Sequence, residues 1–392
     1  MRVLLGAFGD PGHAFPMLAL GRALRARGHE VTIETWRRWE PDARREGLAF
    51  AAAPEYHVFP TRERPLKPYE AVLRATGTTR ELVRGMAPDV VVHDVLTLAP
   101  ALAAELERIP AATLIPHVDP RGAPGAPPYS LGARPPRTAA GSALWRALDP
   151  LTARGIEQGR RELNETRRRL GLPALARPYG GISERLALVA TFPQLEPPRA
   201  RAPGTHVVGP LLWEPATEPV EPPPGEGPLV LIAPSTSQDP EHRLLRASLA
   251  GLRGAPVRVL ATWNRRPLKG PVDVPHGARL VEWLSYERTM PRCDLVVCHA
   301  GHGTVARALS SGCAVVCAPV AGDMNENAAR VDWAGVGVRI PRRLVGPRAV
   351  RLAVGRALSE PALRRRAGEL AAWVAARDPA DRAAELVEGL AR

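Results

Sequence analysis

Short apolar runs recur along this chain, each closed by a turn and followed by apolar residues spaced three and four apart. Runs that stay apolar without alternating predict strands buried on both faces, as in parallel sheets. In the first half they predict strands at 2–7, 29–34, 48–52, 88–94, 111–115, 186–191 and 205–208. In the second half they fall at 229–233, 257–261, 279–281, 294–298 and 314–318. Helical spacing predicts helices at 14–27, 98–106, 142–170 (as one or two), 241–252, 305–309, 347–358, 361–376 and from 379 onward. Pro16 is tolerated in a first turn, and Gly28 and Gly312 supply stops. The alternation predicts an α/β protein with parallel sheets covered by helices on both faces.

The pattern breaks at 213–228, W-E-P-A-T-E-P-V-E-P-P-P-G-E-G-P, an acidic, proline-rich and extended linker. It predicts domains at 1–212 and 229–376, with a terminal helix in 377–392 expected to pack back on the first domain. Two such domains facing each other hold ligands in the cleft at their strand ends. Loops are expected at 9–13, 54–69 and 116–141. A loop as long as the last is usually functional or mobile.

At 392 residues the chain is long enough for two full cores. The formal charge of +13 comes almost wholly from arginine, since lysine occurs only at 67 and 269. Basic clusters interleaved with aromatics are absent, so no nucleic-acid partner is expected. A basic surface still helps draw in an anionic substrate. The four cysteines, at 293, 298, 313 and 317, sit in or beside apolar strands and read as small buried thiols. No apolar run reaches membrane-spanning length, and a cytoplasmic protein, monomeric or homodimeric, is expected.

The candidate chemistry concentrates at 283–327. There the strand at 294–298 hands over to a helix through His299-Ala300-Gly301-His302-Gly303-Thr304. Free N–H groups and the helix dipole favour an anion at such a place. Gly301 and Gly303 let a phosphate approach, and His299 and Thr304 can donate to its oxygens. The stretch resembles the donor-binding signature of the family 1 inverting glycosyltransferases, two-domain enzymes of the GT-B fold. The shared frame is Trp283, then His299-x-Gly301-x-x-Thr304, then Gly322-Asp323-x-x-x-Asn327.

That resemblance implies a nucleotide-sugar donor and a small lipophilic acceptor, with no cofactor and no metal. It implies base stacking on Trp283, diphosphate contacts at His299, Gly301, Gly303 and Thr304, and sugar contacts at Asp323 and Met324. Ser235 and Ser237, in the turn after the strand at 229–233, either hold diphosphate or cap the next helix. In the first domain, G-H-x-x-P-M at 12–17 resembles the family's N-terminal motif, whose histidine is the base, here His13. Asp94, at a strand end, is the expected partner that fixes its tautomer. The alternative for Asp94 is that it caps the helix that follows. Phe59, His117 and Trp145 are candidates for an acceptor pocket.

The chain departs from the family frame in three places. W-x-P-Q reads Trp283-Leu284-Ser285-Tyr286, a ribose-binding glutamate is replaced by Arg307, and a sugar-binding glutamine by Met324. A guanidinium has no acceptor to offer a ribose hydroxyl. The expectation is therefore a dTDP-linked hexose, with UDP-glucose as the fallback. Two alternatives stand beside this: a non-catalytic homologue that activates a partner glycosyltransferase, and a nicotinamide-dependent oxidoreductase. The glycines at 6, 9 and 12 do not form G-x-G-x-x-G, which weighs against the second.

Overall fold

The structure, a computed structural model, describes residues 1–53, 68–236 and 238–391. The first half runs β1 (Arg2–Gly6), α1 (Pro11–Ala26), β2 (Glu30–Thr35), α2 (Glu40–Arg45), β3 (Ala49–Ala52), α3 (Pro68–Met86) and β4 (Val90–Asp94). It continues through α4 (Ala99–Leu106), β5 (Ala111–Ile115), α5 (Ala139–Arg169), β6 (Ala187–Val189) and β7 (Thr205–Val207). The second half begins with β8 (Leu229–Ala233), α6 (Arg243–Leu252), β9 (Arg258–Thr262), β10 (Ala278–Val281), α7 (Tyr286–Thr289) and β11 (Leu295–Cys298). It ends with α8 (His302–Ser310), β12 (Ala314–Cys317), α9 (Asp323–Ala334), β13 (Gly337–Arg339), α10 (Pro347–Ser359), α11 (Pro361–Ala375) and α12 (Pro379–Ala391).

Two sheets result, ordered β3-β2-β1-β4-β5-β6-β7 and β10-β9-β8-β11-β12-β13. The pairings are parallel, for example Leu5 with both Ile33 and Val92, and Cys298 with both Ala233 and Cys317. Strands such as β4, β8, β11 and β12 are buried along their whole length, which is why they read as unbroken apolar runs. Gly337 in β13 has a packing reason: a Cβ there would lie 2.2 Å from the Val315 carbonyl oxygen.

Helix α12 returns to the first half. Its Ala383, Ala384, Val387 and Leu390 share one core with Leu20 and Leu24 of α1. Arg27 and His29 hold its Glu388 at 2.8 and 2.7 Å. The two halves also share apolar contacts. Val118, Phe192 and Leu195 belong to the cluster built by β11, α8 and β12, and the Phe192 ring meets Trp373 of α11 at 6.0 Å. No helix among the described residues is long and apolar enough to cross a membrane.

Several elements differ from the sequence expectation. Helix α1 starts at Pro11, so His13 stands in its first turn instead of a preceding loop. Pro11 is preset for a first helical position, and the Asp10 carbonyl accepts from His13 N and Ala14 N, both at 2.9 Å. Helix α8 starts at His302, which brings Gly303 and Thr304 into its first turn. Helices α3 and α9 and strand β13 are not among the elements the pattern predicts. Helix α3 carries Thr76-Gly77-Thr78-Thr79 at its centre, and α9 carries two asparagines and two aspartates. These are weak helix formers, overridden by packing. Helix α5 is continuous despite Pro150.

Candidate active site

Asp94 ends β4 with no exposed side-chain surface. Such a carboxylate requires partners. Phe8 N donates to Oδ2 at 2.5 Å, Leu96 N to Oδ1 at 2.7 Å and Thr97 Oγ1 to Oδ2 at 2.6 Å. His13 Nδ1 donates to Oδ1 at 3.0 Å. Since β1 lies beside β4, the β1–α1 turn and the β4–α4 turn meet at this one carboxylate. Burial pushes the Asp94 pKa up, but His13 and the hydrogen bonds outweigh it and hold it below the ordinary value. Burial also disfavours the His13 imidazolium. The charge and hydrogen bond of Asp94 outweigh that, with help from Asp323 and Asp10, and the His13 pKa is raised. With Nδ1–H committed to Asp94, neutral His13 carries its lone pair on Nε2, and its side chain stays 16% exposed.

His117 follows β5, on the other side of β4. Its ring is 6.3 Å from that of His13, nearly perpendicular to it. Asp323 heads α9 in the second half, where Gly322, in the left-handed region at φ 55°, turns the chain into the helix. Asn327 Nδ2 donates to Asp323 Oδ2 at 3.2 Å and to the Ala300 carbonyl at 3.0 Å. The Asp323 charge acts on His13, His117 and Tyr129. Residues from both halves thus converge on one cleft.

Beside it lies the start of α8. Val305 N is the first to bond back, to the Gly301 carbonyl at 3.1 Å. The amides of His302, Gly303 and Thr304 precede the first intrahelical bond. A Cβ on Gly301 or Gly303 would meet nothing within 4 Å, so both border open space. Thr304 is half-buried. His299 is placed differently from a phosphate donor. It is 2% exposed, its Nδ1 accepts from Ser235 N at 2.9 Å, and its Nε2 donates to Asp239 at 3.1 Å. Both ring nitrogens are engaged in fixing the turn after β8. Ser235 Oγ accepts from Gln238 N at 3.0 Å within that turn. Asp239 also caps α6 through Leu244 N at 3.0 Å, and the His299 bond helps hold its pKa down to about 2 against burial.

Trp283 is half-buried, with the Arg265 guanidinium 4.9 Å over one face and Nε1 donating to Thr217 of the connector at 3.2 Å. Arg307 is not a solvated surface arginine. Its side chain is 12% exposed, with Glu287 at 3.6 Å and Glu214 and Arg22 in electrostatic reach. Met324 is 8% exposed and joins the apolar cluster beneath α8, which places it in the core. Trp145 lies half-buried on α5 between the exposed Leu144 and Leu148. Phe59 and Ser237 lie outside the described residues.

Residues 249–390 match the model of the erythromycin biosynthesis protein CIII-like C-terminal domain. Along the whole chain, the O-mycaminosyltylonolide 6-deoxyallosyltransferase of Streptomyces fradiae is 30% identical, over 99% of this chain and 97% of that one. The chain belongs to this family of natural-product glycosyltransferases. The 4'-demethylrebeccamycin synthase of Lentzea aerocolonigenes is 28% identical over 99% of both chains. The fold is GT-B. The spinosyn rhamnosyltransferase SpnG complexed with thymidine diphosphate superposes at a TM-score of 0.71, with 22% identity and 100% of both chains covered. The protein is therefore an enzyme that transfers sugars, and neither the oxidoreductase nor the activator alternative survives.

Four residues of the site were missed in the sequence. Thr97 and Asp239 stand three and six residues after the ends of strands already singled out, where capping side chains are common, and that spacing was the available signal. Tyr129 and His302 carry no local signal, since their partners His117 and Ala190 are distant or in the other half of the chain.

The raised His13 pKa depends on Asp94. In wild type, the His13 ring protons followed by NMR titrate above the usual 6.5. In Asp94→Asn the attraction is lost while burial remains, so the midpoint falls below wild type. An unchanged midpoint would contradict the pairing. The sign for stability follows: the His13 contribution is complete below its unfolded pKa and is lost as pH rises through the folded one.

Proposed function

We propose that this glycosyltransferase inverts the anomeric centre in one displacement and requires no metal. His13 Nε2 takes the proton from an acceptor hydroxyl. That oxygen attacks the anomeric carbon as the bond to the nucleotide diphosphate breaks, and the diphosphate leaves. Asp94 holds the tautomer and stabilises the imidazolium that forms. The amides at the start of α8, with Gly301, Gly303 and Thr304, meet the charge of the departing diphosphate. Asp323 accepts from sugar hydroxyls, and the base stacks on the face of Trp283 opposite Arg265. The observation that carries the reading is the 3.0 Å contact from His13 Nδ1 to Asp94, which leaves Nε2 as the free lone pair.

The acceptor is a small lipophilic natural product. Phe8 supports this, packing edge-on against both Trp36 at 4.9 Å and His13 at 5.9 Å. The donor is a dTDP-linked hexose, with UDP-glucose as the fallback. Arg307, held near Glu287 and Glu214, offers no acceptor to a ribose 2′-hydroxyl. The thymidine diphosphate in the spinosyn enzyme fits the same direction. A cytoplasmic setting fits four free thiols.

His13→Ala lowers turnover with an ordinary alcohol by about 10²–10⁴-fold, the range for a positioned base. A chelator leaves wild-type turnover unchanged. Near wild-type transfer in the variant, or loss in chelator restored by Mg²⁺, would overturn the mechanism.

Calorimetry with UDP and dTDP tests the donor. Wild type favours dTDP or shows no preference, and Arg307→Glu shifts towards UDP by about 1 kcal/mol, one net hydrogen bond. Wild type binding UDP tenfold or more tighter than dTDP would refute it.

A further inference from the structure

His117 has a fixed tautomer. Its Nδ1 lies 2.8 Å from the Val118 carbonyl, which can only accept, so Nδ1 carries the proton. The Tyr129 hydroxyl, 3.2 Å from the same nitrogen, steadies the ring from the 116–138 segment. Val118 and Tyr129 both pack against the core of the second half, so the ring is anchored from both sides of the cleft. In the neutral ring Nε2 is therefore a bare acceptor. It is not among the buried polar atoms that lack a partner, and no partner for it occurs among the described residues. The ring is half-buried and lies beside that of His13, 6.3 Å away.

Burial keeps His117 below the ordinary imidazole pKa, and the charge of His13 reinforces this against Asp323 and Asp94. The pair is thus asymmetric. His13, bonded to Asp94, gains a proton readily, whereas His117, with a carbonyl and a hydroxyl but no carboxylate on its ring, gains one less readily. The two rings flank the end of β4 at 6.3 Å, a separation that two hydroxyls on neighbouring carbons can bridge.

We propose that His117 is a specificity-determining residue that accepts, at Nε2, a hydrogen bond from a second hydroxyl adjacent to the one His13 deprotonates. The preferred acceptors are then vicinal diols and catechols. This rests on His13 being the base, as argued above. It adds a demand on the acceptor that the base alone does not make: a monohydroxy analogue leaves the Nε2 lone pair facing apolar surface, and an unpaired polar group disfavours that complex.

Quercetin and kaempferol differ by the one ring hydroxyl that makes a catechol, and their binding is read by quenching of intrinsic tryptophan fluorescence. Wild type binds quercetin about fivefold to tenfold tighter, the worth of one hydrogen bond. His117→Phe, which keeps a flat ring without the acceptor, brings the ratio to about one. His117→Gln, whose amide oxygen can accept, retains part of it, and His117→Leu replaces the Phe variant should that fail to fold. No preference in wild type, or the same preference in His117→Phe, overturns the proposal. Binding is measured without donor, so the two readings fail separately. Absence of sugar transfer, with the binding ratio behaving as stated, counts against the proposed reaction and leaves the role of His117 standing.

Discussion

A carboxylate without exposed surface is costly in a protein interior unless its oxygens are met by donors, and the Asp94 group meets four of them. Much of the first half is arranged around that requirement. Strand β4 ends there because Asp94 turns to its own Leu96 and Thr97. The β1–α1 turn arrives there because Phe8 N reaches the same oxygens. His13 then stands in the first turn of α1, with Nδ1 on the same carboxylate. One interaction thus sets the position, tautomer and basicity of a histidine. Losing one of the donors would leave part of the charge unmatched, which costs about 1–3 kcal/mol.

The second half contributes by its helix starts. Helices α8 and α9 follow neighbouring strands β11 and β12, so their N-termini face the first half together. His302 of α8 donates to the Ala190 carbonyl across the boundary at 3.2 Å, and Asp323 of α9 places its charge near His13. His302 disfavours a proton, since burial pushes its pKa down to about 4. The positive contribution at this wall comes from backbone amides, which need no titration to act.

Strand positions and the handover at 298–304 were legible because fully buried parallel strands leave unbroken apolar runs, and glycines mark the turns after them. The position of Asp94 at a strand end, and of His13 between the first strand and the body of the first helix, follows from the same pattern. What was illegible depends on contacts distant in sequence. Asp239 engages both the start of α6, which its spacing could announce, and the ring of His299, sixty residues on, which nothing local announces. Met324 reads as a cleft residue from its place beside Asp323, but the helical turn carries it into the core. Helix α9 forms although its residues favour other conformations, because Ala328, Ala329 and Val331 have an apolar wall to bury against.

The central claim is that one base and one displacement carry the reaction. The anomeric configuration of the product tests it most directly. With an α-linked dTDP- or UDP-glucose and a simple phenolic acceptor, the proton coupling at the anomeric carbon of the isolated product is read by NMR. The account predicts a β-glycoside, with the large coupling of two axial protons. An α-glycoside would mean retention, and would contradict a mechanism in which His13 acts alone as base.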